Sequence, residues 1–233
     1  MTQQTLIYVH DPLCGWCYAV APLMKAASQL PDLQIKLFAG GLFIGDNRQQ
    51  LSKLKSYIMP HDQRIAAMTG QVYSDEYFNG LLNDPTVILD SAIPMAAIIA
   101  VDRLSGKALE MQHRIQHAHY AEAKKVMDPS VLADLAVELG IDRAEFEAEM
   151  AKVDETALVQ EINQAHQWLQ RLGGRGFPTL GLQIGDEIYA LPVSEYLGQV
   201  DKWLAMLASK LPAKAESSDL PFCSPDGCTP VAE

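Results

Sequence analysis

The chain has 233 residues, 48% of them apolar, and a net charge of -11 at neutral pH. That is enough apolar matter for one large domain or a domain with a sizeable insertion. So acidic a chain lacks the clustered Lys and Arg that a phosphate backbone needs, which excludes nucleic acid as a partner. The longest apolar stretch, Ile93 to Val101, is far shorter than the roughly 18 residues of a membrane span, so no membrane partner is expected.

Met1 to Thr5 lead into the first strand without a basic segment followed by an apolar one, so no secretory leader is read and a cytoplasmic location is expected. Leu6-Ile7-Tyr8-Val9 reads as a buried strand, Asp11-Pro12-Leu13 as a turn, and Trp16 to Leu30 as a helix kinked by Pro22. Leu33 to Ala39 alternates at period two and ends at Gly40-Gly41, so a second, parallel strand follows in βαβ order. From about Asn47 to Leu172 the pattern is helical and Ala-rich, with breaks at Pro60-His61, Asn83-Asp84-Pro85, Ser105-Gly106, Asp128-Pro129 and Gly140. Five or six helices fit there. Two short strands, Thr179 to Ile184 and Glu187 to Leu191, surround a tight turn at Gly185-Asp186, and Val193 to Leu211 reads as a closing helix. The expected fold is α/β: a discontinuous sheet domain of residues 1–46 and 173–211, a helical insertion of residues 47–172, and a tail of residues 212–233 whose composition reads as mobile.

Cys14-Gly15-Trp16-Cys17 stands where the first strand gives way to the first helix. A thiolate is the reactive form of cysteine, and a helix N-terminus favours it, so Cys14 is the expected nucleophile of a redox-active dithiol. Cys17, about one turn on, is the expected resolving thiol. In a reducing cytosol a structural disulfide is improbable, which turns a C-x-x-C towards catalysis, sensing or metal binding. Two rival readings remain: a metal site that pairs Cys14 and Cys17 with Cys223 and Cys228, and inert cysteines. Structural zinc normally uses closely spaced pairs within one compact module, so the redox reading is preferred, with no metal and no cofactor called for.

Gly176-Phe177-Pro178-Thr179 lies just ahead of the late strand pair. A strand, C-x-x-C and helix, joined to a late x-Pro-Thr and an antiparallel ββα, resembles the thioredoxin fold, and the long helical segment resembles its DsbA-like branch. Asp11-Pro12-Leu13-Cys14-Gly15-Trp16-Cys17-Tyr18 with Gly40-Gly41-Leu42 is similar to the cytoplasmic disulfide isomerases of that branch, relatives of FrnE-type proteins. The resemblance covers roughly residues 5–210. It implies that Pro178 is a cis-proline facing the dithiol, and that Phe177 offers backbone hydrogen bonds to an extended substrate. Trp16 is read equally as a substrate contact or as a packed surface ring. The expected activity is thiol-disulfide oxidoreductase or isomerase, with a disulfide-bearing protein or a glutathione-type thiol as partner. Gly15-Trp16 places no charge beside Cys14, unlike the Pro-His pair of DsbA, so a weaker oxidant is expected, working as reductase or isomerase. The glutathione-using kappa-class transferases and hydroxychromene carboxylate isomerases also resemble this fold, but they usually carry Ser at the active position and no second thiol.

The tail segment Cys223-Ser224-Pro225-Asp226-Gly227-Cys228 is rich in turn-forming residues that bring its thiols together, an arrangement read as a candidate accessory redox pair, a passive tail or a soft-metal site. Twelve residues separate Leu211 from Cys223 and reach at most about 40 Å, so contact with Cys14 is geometrically open. His113, His117 and His119 are read as polar helix surface. His10 and Asp11 adjoin the dithiol turn in sequence. Oligomeric state is not legible.

Overall fold

The computed structural model describes residues 4–211. Strand β1 (Gln4–His10) is buried along its whole length because both of its faces are covered. Leu6 and Tyr8 point into a core with Val20, Leu23, Met24, Trp203 and Leu207. Ile7 and Val9, on the other face, meet Ala165 and Leu172. This explains why the strand reads as an unbroken apolar run. β1 pairs in parallel with β2 (Leu33–Ala39), Gln4 opposite Leu33, as the βαβ reading expects.

The connecting helix is broken into α1 (Gly15–Ala19) and α2 (Ala21–Ala27). Pro22 has no N–H to give the Tyr18 carbonyl, and the Gln71 side-chain amide donates to that oxygen at 2.7 Å. Beyond β2 come β3 (Gln49–Gln50), α3 (Leu51–Thr69), α4 (Asp75–Asn79) and β4 (Ile88–Leu89). β3 and β4 form a two-residue antiparallel ribbon that no sequence pattern announced. α3 runs straight through Pro60, where a break was expected. Pro60 is exposed, so the Ser56 carbonyl that loses its helical donor is on the side water can reach.

The insertion continues with α5 (Ala92–Ser105), α6 (Ala108–Tyr120), α7 (Pro129–Glu138), α8 (Arg143–Met150) and α9 (Glu155–Leu172). The starts of α7, α8 and α9 are chemically marked, each by an aspartate. Asp142 accepts from the backbone N–H groups of Ala144 and Glu145, and Asp154 from that of Ala157. Each such cap stabilises its helix by about 1 kcal/mol. A core built on Tyr77, Leu82, Met95, Ile115, Leu132 and Phe146 holds these helices together and is separate from the cores that cover β1. α9, within the insertion by chain position, lies on the sheet through Ala165, Trp168, Leu169 and Leu172.

β5 (Thr179–Ile184) returns antiparallel to β1, and β6 (Glu187–Leu191) antiparallel to β5, giving the order β2-β1-β5-β6. The expected closing helix is a short 3-10 turn at Val193–Tyr196 followed by α10 (Val200–Lys210), with the chain turning between them at Gly198, φ +72°. Trp203 on α10 is fully buried, and its indole N–H donates to the Leu23 carbonyl at 3.0 Å, fastening α10 to α2. A mixed four-stranded sheet with helices on both faces and a helical block between β2 and β5 is the thioredoxin fold of the DsbA-like kind.

Candidate active site

The dithiol loop is built by Asp11. Its carboxylate accepts from the Leu13 N–H at 2.9 Å and its carbonyl from the Cys14 N–H at 3.2 Å, which turns the chain at the end of β1. Cys14 then caps α1, and its carbonyl accepts from Cys17 and Tyr18, so one turn of helix carries Cys17 back under the loop. The two thiols differ in environment. Cys17 is fully buried, whereas Cys14 keeps 8% exposure. Burial, reinforced by Cys14 beside it, pushes the Cys17 thiol well above the ordinary range, and the Asp11 N–H approaches its sulfur at 3.5 Å. Cys17 is therefore held as a thiol inside the protein, and Cys14, though also largely buried, is the more exposed of the two.

The antiparallel register places Thr179 opposite Val9, which brings the residues just before β5 to the dithiol end of β1. There the Phe177–Pro178 peptide bond is cis, and the Cys14 thiol lies 3.5 Å from the Phe177 carbonyl oxygen. Gly40 makes room for the Phe177 ring: a Cβ at that position would come within 2.0 Å of Phe177 Cζ.

The insertion supplies the other walls. Tyr120 at the end of α6 donates its hydroxyl to the Leu13 carbonyl at 2.9 Å and stacks on Tyr18 at 4.9 Å. Asp62 on α3 is 2% exposed, and its Oδ2 accepts the Tyr77 hydroxyl at 2.7 Å. Its Oδ1 would stand 2.6 Å from a Cβ on Gly15, so the loop approaches that carboxylate as only glycine can. Burial raises the Asp62 carboxyl to about 7, with the Tyr77 hydrogen bond pulling against it. Asp11, also buried, is raised by burial to about 6 although Leu42, Leu13 and Ser91 all donate to it.

Half-buried Trp16 stands between two cavities. One, of about 520 Å3, is lined by Cys14, Gly15, Trp16, Leu54, Asp62 and Tyr120 among others. The second, about 550 Å3, runs from Trp16 past Phe177 and Pro178 to Leu191. A larger cavity of about 620 Å3 lies between β2 and the α5–α6 turn and touches neither cysteine. Cys14, Cys17, Trp16, Phe177 and Pro178 thus converge at one place, whereas Cys223 and Cys228 lie outside the described residues. Among the described residues no three His, Cys, Asp or Glu side chains form a group that could hold a metal ion.

The histidines correct the surface reading. His117 is exposed and paired with Glu122 at 2.9 Å, but His119 is 2% exposed and packs edge-on to Tyr77 and Tyr120. Burial lowers His113 and His119 to about 4 and His10 to about 3, so all three are neutral. Most of the α6 circumference is enclosed, with Met111, Gln112, Ile115, Gln116 and Ala118 also buried, which leaves only a narrow polar strip. Asp62 and Tyr120 carried no local signal in the sequence, because only tertiary packing brings them to the dithiol.

A cysteine pair at a helix start, under a cis-proline loop of a mixed sheet, defines a thiol-redox protein of thioredoxin fold. The chain belongs to the DSBA-like thioredoxin domain family, whose model matches residues 5–194. It is similar to the cytosolic disulfide reductase DsbM from Pseudomonas aeruginosa, with 39% identity over 88% of this chain and 97% of that one and a TM-score of 0.83. A structure of DsbM with GSH aligns at 38% identity over 88% of this chain and 98% of that one, TM-score 0.78. A Nitrosomonas europaea protein provisionally described as a protein disulfide isomerase aligns at 26% identity over 88% and 98%, TM-score 0.67. No curated protein sequence matches the chain. No helix among the described residues is long and apolar enough to cross a membrane.

Proposed function

We propose that the protein is a cytosolic thiol-disulfide oxidoreductase that reduces disulfides through Cys14 and Cys17. The observation that carries this reading is the Cys14 sulfur, 3.5 Å from the carbonyl of Phe177 beside cis-Pro178, on the wall of a cavity that can receive a substrate. The Cys14 thiolate attacks one sulfur of a substrate disulfide; the S–S bond breaks, the other substrate sulfur leaves as a thiolate and takes a proton, and a mixed disulfide to Cys14 remains. The Cys17 thiol then gives up its proton and attacks the Cys14 sulfur, which releases the second substrate thiol and leaves a Cys14–Cys17 disulfide. Two electrons pass to the substrate, and two thiols of glutathione type, themselves oxidised to a disulfide, restore the dithiol. Burial of Cys17 suits the second step, since its thiol is protected from outside disulfides until the mixed disulfide forms. Trp16, Phe177 and Pro178 flank the attacking sulfur and serve as substrate contacts.

The reductive direction and the glutathione-type partner rest on the likeness to DsbM, described as a cytosolic disulfide reductase and seen with GSH. Equilibration in glutathione redox buffers, read by alkylation and peptide mass spectrometry, tests them. A Cys14/Cys17 midpoint of roughly -270 to -200 mV supports a reductase or isomerase, and one near -120 mV makes the protein an oxidant. If the two never form a disulfide, the proposal fails. The same digest scores Cys223 and Cys228 separately, and a disulfide-linked peptide joining either to Cys14 supports an accessory redox role for the tail pair.

A further inference from the structure

Arg48, Arg103, Arg114 and Arg143 each meet a carboxylate within 4 Å, as expected in a chain with 29 acidic residues. Arg64, Arg171 and Arg175 meet none among the described residues, and of these three Arg64 is the one that lines a groove beside Trp16 and Pro178. Its guanidinium lies 5.8 Å over the ring of Trp16, within cation–π range. The side chain is exposed and projects from α3 to the wall of the 550 Å3 groove, where it is the one charged group among Trp16, Val20, Met68, Phe177, Pro178 and the other lining residues. A guanidinium lodged against an aromatic face keeps N–H groups at its edge free for a planar, two-oxygen acceptor. A cation over Trp16, the residue next to Cys17 in the dithiol turn, and without a carboxylate partner among the described residues, is a local reversal of sign on a protein of net charge -11.

We propose that Arg64 is a specificity residue that binds a carboxylate of the substrate, so that the site selects small, anionic disulfides of glutathione type over neutral or cationic ones. This deepens the thiol-exchange reading above and rests on it. The substrate spans Trp16, with its disulfide at Cys14 on the side of the 520 Å3 cavity and its carboxylate at the Arg64 edge of the 550 Å3 groove. Arg64 takes no part in the electron transfer. Its contribution is to binding, and it weakens as salt screens the charges.

The test compares three disulfides, glutathione disulfide, bis(2-hydroxyethyl) disulfide and cystamine, reduced by the full-length protein with dithiothreitol as electron donor. In Arg64→Gln the ratio of kcat/KM for glutathione disulfide to that for bis(2-hydroxyethyl) disulfide should fall about tenfold, mainly through KM, while cystamine gains. Arg64→Lys should restore part of the ratio, and raising salt should bring the unsubstituted protein towards the Arg64→Gln value. An unchanged ratio in Arg64→Gln, or equal losses on all three disulfides, overturns the assignment of Arg64 and leaves thiol exchange standing. If the unsubstituted protein reduces none of the three and Cys14 and Cys17 never pair, thiol exchange itself is overturned, and the Arg64 assignment with it.

Discussion

The carboxylate of Asp11 accepts the hydroxyl of Ser91 at 3.1 Å, joining the dithiol turn to the residue just before α5, 80 positions along the chain. The other oxygen of Asp11 accepts the Leu42 N–H at 2.7 Å, and Ser91 in turn accepts the Phe43 N–H at 3.1 Å. One buried side chain therefore fastens the end of β1, the loop after β2 and the start of α5. Asp11→Ala would strand the Leu13 and Leu42 N–H groups and the Ser91 hydroxyl, at a cost of about 3 kcal/mol or more, whereas Ser91→Ala should cost about 1 kcal/mol. Urea melts of the two variants give the comparison, and equal midpoints would mean that Asp11 does not hold these segments together.

The two thiols should react in a fixed order. With native, reduced protein, iodoacetamide should label Cys14 and leave Cys17 unmodified until denaturant is added, because Cys17 is fully buried and its thiol is held protonated. Cys17→Ser should accumulate a Cys14 mixed disulfide with glutathione disulfide, visible as an intact-mass adduct, while Cys14→Ser should form none. Labelling of Cys17 first would reverse the assigned roles.

Asp62 makes stability depend on pH in one direction. Its folded-state pKa, about 7, is raised above the ordinary 3.8. Its contribution is therefore fully present below about pH 4 and is lost as pH rises through 7, because the unfolded chain releases a proton that the folded one must keep or pay for in desolvation. Three units correspond to a change on the order of 4 kcal/mol. Asp62→Asn removes that dependence, so its Tm should exceed that of the unsubstituted protein at pH 8 by more than at pH 5. A difference in Tm that does not vary with pH would refute a raised Asp62 pKa.

Gly15→Ala should lose about 1–3 kcal/mol, since its methyl would meet Asp62 Oδ1 at 2.6 Å. Shortening the opposing side chain in Gly15→Ala with Asp62→Ala should recover part of that loss. A double-mutant cycle on denaturation midpoints measures the coupling, and strict additivity would show that the two positions do not touch.

Much of the fold was legible because its cues are local. The apolar run Leu6 to Val9, the alternation of Leu33 to Ala39 and the tight turn at Gly185-Asp186 each state an element within a few residues. Cys14 and Cys17 mark their own place by spacing. What decides their surroundings is written elsewhere in the chain. Asp62 is one polar residue on an amphipathic helix, and nothing near it indicates that it faces Gly15. Pro60 reads as a helix break, but whether the orphaned carbonyl can be hydrated depends on which side of α3 is covered. His119 looks like surface until Tyr77 and Tyr120 close around it. Arg64 has no distinguishing neighbour in sequence, and its lack of a carboxylate partner among the described residues appears only in the folded chain.

The central position of β1 has a consequence for the order in which the protein is made. One of its edges is satisfied early, by β2, with Gln4 opposite Leu33, but the other waits for β5, with Val9 opposite Thr179. A chain emerging from the ribosome thus holds its cysteines and half a sheet long before the strand that closes the other edge exists. Throughout that interval β1 presents unpaired backbone and the bare faces of Ile7 and Val9, whose cover comes from Ala165 and Leu172. A translation product that stops short of β5 would keep both thiols yet carry an open, apolar edge, and so aggregate in place of folding.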